Sequence, residues 1–399
     1  MDFDKNPKYK EMLFSKSKIA FIVIIFWFLG VKEVLEVADM FNYYLYFLPL
    51  AMIGFYFFIG LSQIRNKIDK WTFLFLLLFV IFFIKDLLRL DYEGMLEQLA
   101  YFIGFAFIYD FSKAYPLGTY NLKFLTVFFF ISSVIFAVFS PQQNLIFIPS
   151  QSHNFHVYIA AAHYSGKMYI FILLSLLYMS HENSFYKHRF RVVEKFIITV
   201  LLVLILATGA RSAIHASIMV MFLFLLYRNK RLEWRSIMIL LLFLLSIFII
   251  PYLDLIITQD YFGTLLKMNG TDDTSSGRGW LQLHHLTLFR ENWLLGVNAG
   301  AVDFKIGDMV NGVSAPAASE SMYTKYLARE GLFGIIKILI FLLFAIYAVL
   351  KQNLSAFLVS AVILVLNASI SILHNSYAMF GILYMWLYFS IIGFKKYKE

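Results

Sequence analysis

Apolar runs of bilayer length follow one another along nearly the whole chain, and no soluble fold can absorb them. They fall at about 19–37, 41–61, 71–84, 95–111, 122–140, 159–180, 195–208, 212–227, 235–253, 331–350, 354–373 and 376–394. A helix needs roughly 20 residues to cross the hydrocarbon core, and only a helix or a closed barrel satisfies its own backbone there. The composition agrees: of 399 residues, 61% are hydrophobic and 15% charged. Soluble domains carry about 25% charged residues, so this chain cannot cover a water-exposed surface of its size. The pattern predicts an all-α polytopic integral membrane protein, a single membrane domain over 1–399 with about 12 transmembrane helices. It excludes a soluble enzyme and a disordered chain. The apolar stretch after the lysine-rich start lacks a small-residue cleavage site and reads as a first span. The absence of cysteine removes disulfides, thiolate metal sites and cysteine nucleophiles.

The net charge of +9 does not signal nucleic acid, because the basic residues are dispersed between the apolar runs. They sort by side of the membrane instead. Cytoplasmic loops collect Lys and Arg. With the N-terminus inside, the inner segments carry about twice as many basic residues as the outer ones. Lys187, Arg189 and Arg191, then Arg228, Lys230, Arg231 and Arg235, then Lys351, fall inside. Lys85, Arg89, Arg211, Arg278 and Arg290 fall outside, and Lys337 lies within a span. Both termini are thus expected in the cytoplasm. The one long connection, 254–330, is exported, with a shorter outer loop at 141–166. Long connections inside a compact protein are usually functional, so the chemistry is expected on the extracytoplasmic face.

Several charges stand where charge is costly. Arg211 sits in Thr208-Gly209-Ala210-Arg211-Ser212, a hairpin between two spans with almost no loop. It either snorkels to headgroups or serves as a planar fork for phosphate. In the long loop, Trp280, Leu283, Leu286 and Phe289 recur at mostly helical spacing. They predict a short amphipathic helix with Arg278 at its start. Helical spacing also places Glu320, Tyr323 or Thr324, and Leu327 along one face before the tenth span. Glu320 is either a helix N-terminal acid favoured by the macrodipole or a working carboxylate at the mouth of the membrane. Lys337 must face protein or water, lining a cavity or pairing with a buried acid. Asp272 and Asp273 are adjacent acids that suit solvent as well as a divalent ion. His153, His156, His163, His284 and His285 show no metal-ligand spacing and read as polar contacts. No glycine-rich nucleotide loop and no serine-hydrolase elbow is present.

Three pieces in this order resemble the O-antigen polymerase and O-antigen ligase superfamily, the Wzy-type or Wzy_C proteins. The first is Thr208-Gly209-Ala210-Arg211-Ser212. The second is Ser276-Gly277-Arg278, followed by Phe289-Arg290-Glu291-Asn292-Trp293-Leu294-Leu295-Gly296-Val297. The third is Ser319-Glu320 with Gly331-Leu332-Phe333-Gly334 after it. Together they cover residues 207 to 334. Trp293 stands where the family pattern usually has proline, and Asn298 where glycine is common.

The resemblance implies a GT-C-like fold and an extracytoplasmic glycosyltransferase acting on sugars carried by undecaprenyl pyrophosphate. It implies an inner-membrane protein with its active site on the periplasmic face. Arg211 and Arg278 match the family's pyrophosphate-binding arginines, with Arg290, Tyr323 and Lys337 as further substrate-binding candidates. Glu320 falls where ligases usually carry a catalytic histidine, which favours a polymerase. The implied partners are an undecaprenyl-pyrophosphate-linked oligosaccharide, membrane lipids and a polysaccharide chain-length regulator, and no nucleic acid. No cofactor or metal is expected, because two arginines can stabilise a diphosphate leaving group and a carboxylate can take the acceptor proton. The alternatives are an O-antigen ligase transferring glycan to lipid A-core, and a lipid-linked oligosaccharide flippase or transporter. A transporter would place its ionisable groups near the midplane, whereas most of these sit at the outer edge.

Overall fold

The computed structural model describes residues 69–114, 116–117, 155–182, 190–207, 211–228, 230–256, 278–298, 309–310, 313–314, 322–369 and 378–394, with 122, 126–127 and 302. The expected spans at 19–37 and 41–61, nearly all of 122–140, and Glu320 lie outside the described residues.

In the other expected spans the described residues are helical. The run at 71–84 becomes α1 (Lys70–Leu88), which continues through the charged pair Lys85-Asp86. Leu90 then adopts a left-handed φ of 54°, and Asp91 N–H donates back to Asp86 O at 3.0 Å, a Schellman-type stop. Asp91 also caps the next helix, its carboxylate accepting from Gly94 N–H at 3.0 Å. The run at 95–111 is not one helix. It divides into α2 (Tyr92–Gln98), a π-helical turn (Leu99–Ile103) and α3 (Gly104–Ala114).

Further along come α4 (Phe155–Glu182), α5 (Phe190–Ala207), α6 (Arg211–Tyr227) and α7 (Trp234–Ile256). The long connection carries α8 (Arg278–Glu291) and α9 (Met322–Glu330). Between them lies a two-residue antiparallel ladder of β1 (Met309–Val310) and β2 (Val313–Ser314), which the expectation of helices alone did not include. The chain closes with α10 (Leu332–Leu350), α11 (Leu354–Ser369) and α12 (Ala378–Phe394). Among the described residues, α1 and α10 are the helices long and apolar enough to cross a membrane by length and composition, and further apolar helical stretches such as Trp234–Ser246 and Leu354–Ala368 are shorter.

Two compact units emerge. The first holds 69–84, 95–117 and 385–394 among its described residues. Its core is aromatic: Phe75 lies 5.6 Å from Phe105 and 6.5 Å from Phe389. The second comprises 85–94 and 118–384, and α11 is its centre. Every residue from Asn353 to Ala368 is buried, with α4, α6, α7, α9 and α10 packed around that helix. A helix apolar on all sides belongs inside, and Ser355, Ala356, Ser360 and Ala361 let neighbours approach closely. The α10 helix is different. Leu332, Ile335, Ile336, Leu339 and Leu343 form an exposed stripe, while Lys337, Phe341 and Phe344 face inward.

Candidate active site

Two of the three sequence motifs meet in the second unit. The α8 and α9 helices pack side by side in parallel. His285 Nδ1 lies 3.1 Å from Thr324 Oγ1 in a buried contact, and past the end of α8 Val297 N–H donates at 2.9 Å to Ala328 O in the last turn of α9. Both helices therefore begin at the same end of the pair. Arg278 is the first residue of α8, and α9 starts two residues after Glu320.

At the other end the backbones interlock. Gly296 and Gly331 both take left-handed φ angles, 75° and 58°. A Cβ on Gly296 would strike the carbonyl of Arg329, and one on Gly331 would lie 2.6 Å from Gly296 N and 2.7 Å from Trp293 O. Leu332 N–H donates to Leu294 O at 3.3 Å. The glycines of the family-like turn and of Gly331-Leu332-Phe333-Gly334 thus serve one purpose: two stretches of backbone come closer than side chains allow. Arg89 fastens the knot. Its guanidinium donates to Leu295 O at 2.8 Å, Arg329 O at 3.1 Å and Asn298 Oδ1 at 2.8 Å. A cavity of about 330 Å³ opens here, lined by Arg89 and Glu291 to Gly296.

Beneath the knot lies a buried ionic cluster. Glu330 accepts from Lys337 Nζ at 2.7 Å and from Lys85 Nζ, and Lys85 also reaches Asp86 Oδ1 at 2.8 Å. All four side chains are essentially inaccessible. Burial alone would raise the Glu330 carboxyl. The charges of Lys337, Lys85 and Arg329 outweigh it and hold the group down at about 2. Pairing of this kind is what allows ionised groups to persist away from water.

Arg211 and Arg278 are the first residues of α6 and α8, and their side chains lie outside the described residues, as does Glu320. Arg290 is exposed in the last turn of α8. Tyr323 is buried, its hydroxyl donating to Leu364 O at 2.8 Å, and burial pushes that hydroxyl well above its ordinary pKa. Lys337, expected to line a cavity or pair with a buried acid, pairs with Glu330. The Ser212 hydroxyl, in the first turn of α6, is buried without a hydrogen-bond partner among the described residues. His285 is a polar contact, as expected. No group of three or more His, Cys, Asp or Glu side chains suited to a metal occurs among the described residues.

Glu330, Lys85 and Arg89 were not singled out by sequence reasoning. A signal existed: Glu330 stands just before the span that holds Lys337, and Lys85-Asp86 interrupts an otherwise apolar run.

No curated protein matches the chain. Residues 196–339 match the family model described as O-antigen ligase, Wzy_C. That stretch begins in α5, ends in α10, and contains every expected site residue. The match supports the superfamily that the motifs suggested, one of membrane proteins that transfer glycosyl groups and act on lipid-linked oligosaccharides.

Proposed function

We propose that this protein is a polysaccharide polymerase of the O-antigen type. It moves a growing glycan from undecaprenyl pyrophosphate to the non-reducing end of a new lipid-linked repeat unit. The observation that carries the reading is the parallel pairing of α8 and α9, which starts both helices at one end. Helix N-termini favour anions, Arg278 begins α8, and Glu320 stands two residues before the first residue of α9. This reaction wants a diphosphate site and a general base within one site, flanking the anomeric carbon from opposite faces. The buried Ser212 hydroxyl beside Arg211 supports a second polar contact for the diphosphate at the start of α6.

The proposed step is a single displacement. The acceptor hydroxyl oxygen attacks the anomeric carbon of the donor sugar as its bond to the diphosphate oxygen breaks. The bonding pair leaves with undecaprenyl diphosphate, whose charge Arg211 and Arg278 stabilise. Glu320 takes the hydroxyl proton, and configuration at the anomeric carbon inverts. Arg290 serves the substrate from the exposed face of α8, while Lys337 and Tyr323 hold the frame from beneath. The site belongs on the periplasmic face of the inner membrane, with both termini in the cytoplasm and a chain-length regulator as partner.

Purified protein mixed with a native undecaprenyl-pyrophosphate repeat unit, without metal or nucleotide, is expected to give a ladder spaced by one repeat. Arg211→Ala and Arg278→Ala should abolish it while the protein still folds, and Arg→Lys should rescue poorly because a point charge lacks the bidentate fork. Wild-type chain lengths in both alanine variants would sink the diphosphate assignment. The description of the matched family favours a second reading, a ligase. Transfer only when a lipid A-core acceptor is added would establish it.

A further inference from the structure

The turn Trp293-Leu294-Leu295 is apolar and turned outward, with exposures of 57%, 50% and 40%. It is not alone. Leu88, Leu90 and Tyr92, flanking the Arg89 that holds this turn, are 78%, 68% and 68% exposed. Large side chains of this kind, grouped on one rim, mark an interaction surface.

We propose that this rim is a bilayer-interface anchor: the Trp293-Leu294-Leu295 turn rests in the headgroup–acyl boundary of the leaflet on the side of the 254–330 loop, with Arg89 at phosphate level. Continuity identifies lipid as the occupant. Leu332 N–H bonds to Leu294 O at 3.3 Å, and Leu332 opens the exposed Leu332, Ile335, Ile336, Leu339, Leu343 stripe of α10, a helix able to span the membrane. The turn is therefore the upper edge of a surface already facing acyl chains. Tryptophan and tyrosine favour that level of the bilayer. Arg89 contacts three neutral oxygens and no carboxylate among the described residues, which leaves its charge for lipid phosphate, the usual place for a snorkelling arginine. The anchor fixes the height of the C-terminal end of α8, and through that rigid helix the height of its first residue, Arg278. The inference stands whatever reaction the protein performs.

The native chain has no cysteine, so single labels can be placed without removing others. Leu294→Cys and, as a solvent-facing control on α8, Thr287→Cys would carry a polarity-sensitive fluorophore. The full-length protein would be held in nanodiscs of phosphatidylethanolamine and phosphatidylglycerol, open to solvent on both faces. At position 294, iodide quenching should be roughly threefold or more below that at 287, as for a segment sunk into the interface. Lipids spin-labelled near the headgroup should quench 294 and spare 287. Equal iodide quenching at the two positions would overturn the anchor. Shielding of 294 that appears only after a lipid-linked saccharide is added would overturn it too, and make the rim a substrate pocket.

Discussion

The two ends of α10 are closed by opposite means. At its C-terminal end the chain stops with Gln352 at a left-handed φ of 50°, and Asn353 N–H donates to Ala348 O at 2.9 Å. The Gln352 amide exchanges two hydrogen bonds with the backbone of Leu232, at 3.0 and 2.8 Å, and Asn353 caps α11 through Ala356 N–H at 3.1 Å. Every group in these hydrogen bonds is neutral, and a side chain fits the left-handed position. At the N-terminal end the left-handed residue is Gly331, and only glycine fits because the backbone of Trp293 and Leu294 lies where a Cβ would go. A buried carboxylate and two ammonium groups sit below it. One end is a connection between helices; the other draws together residues 85–91, 292–297 and 328–337.

That sorting bears on topology. The segments gathered at the N-terminal end were all assigned to the outer side from their charge pattern, apart from the first turns of α10 itself. Those at the C-terminal end, 228–235 and 351–353, were assigned to the inner side. A helix of 19 residues separates the two sets by about 28 Å at 1.5 Å per residue, close to the hydrocarbon thickness. Segments that the charge pattern expects on one side of the membrane are thus grouped at one end of α10.

The sharpest way to break the contrast is Glu330→Ala. It takes the shared carboxylate away from Lys337 and Lys85 in a dry site, and breaking a buried pair typically costs about 3–5 kcal/mol. The melting temperature in detergent should fall steeply, and a shift below that of any change at Gln352 would show that the cluster is not structural. Next come Gly331→Ala and Gly296→Ala. Each combines a left-handed φ with a backbone collision, so a loss of about 1–3 kcal/mol is expected. Gly393→Ala in α12, where an added Cβ meets nothing within 4 Å, should be neutral or gain up to about 1 kcal/mol.

The pH response of the cluster has a definite sign. Glu330 is held at about 2 against an ordinary 4.5. The stability it contributes is fully present above pH 4.5 and is lost as pH falls through the folded-state value. Melting temperature should be flat from neutral pH down to about 5 and decline below it. E330Q should lose that acid limb while melting lower throughout; an unchanged limb would assign it to other carboxylates.

Much of the frame was legible in the sequence because length and hydropathy decide it. The helices at α1, α4 to α7 and α10 to α12 lie within a few residues of the apolar runs, and α8 begins at Arg278 as the spacing required. The π-turn at Leu99–Ile103 was not legible: it depends on packing around Tyr101 and Phe102, and periodicity in an almost uniformly apolar run carries no phase. At the site, the sequence marked Lys337 as needing a partner but not which one. Glu330 follows a charged, amphipathic stretch that looks solvated, and Lys85 is 245 residues from it in the chain. Single-sequence patterns register neighbours three, four or seven residues apart and are blind to such distances. The glycines of the two motifs were visible, yet their shared purpose appears only when both backbones are seen together.

The smallest expected loss lies at the quiet end. Gln352→Ala removes the side chain that serves Leu232 N–H and O, leaving the buried Leu232 backbone short of partners. Lost hydrogen bonds of this kind cost about 1–2 kcal/mol, and the left-handed φ adds little because alanine tolerates it only slightly less well than glutamine. Stability should fall modestly and glycan transfer should persist, since this end of α10 carries none of the residues assigned to chemistry. Arg89→Lys is the matched change at the other end: it also leaves carbonyls short of donors, because an ammonium cannot span Leu295 O, Arg329 O and Asn298 together. Similar melting shifts with transfer reduced only in Arg89→Lys would separate a structural end from one that positions α8. Equal transfer in the two variants would mean that the knot holds the fold and nothing more.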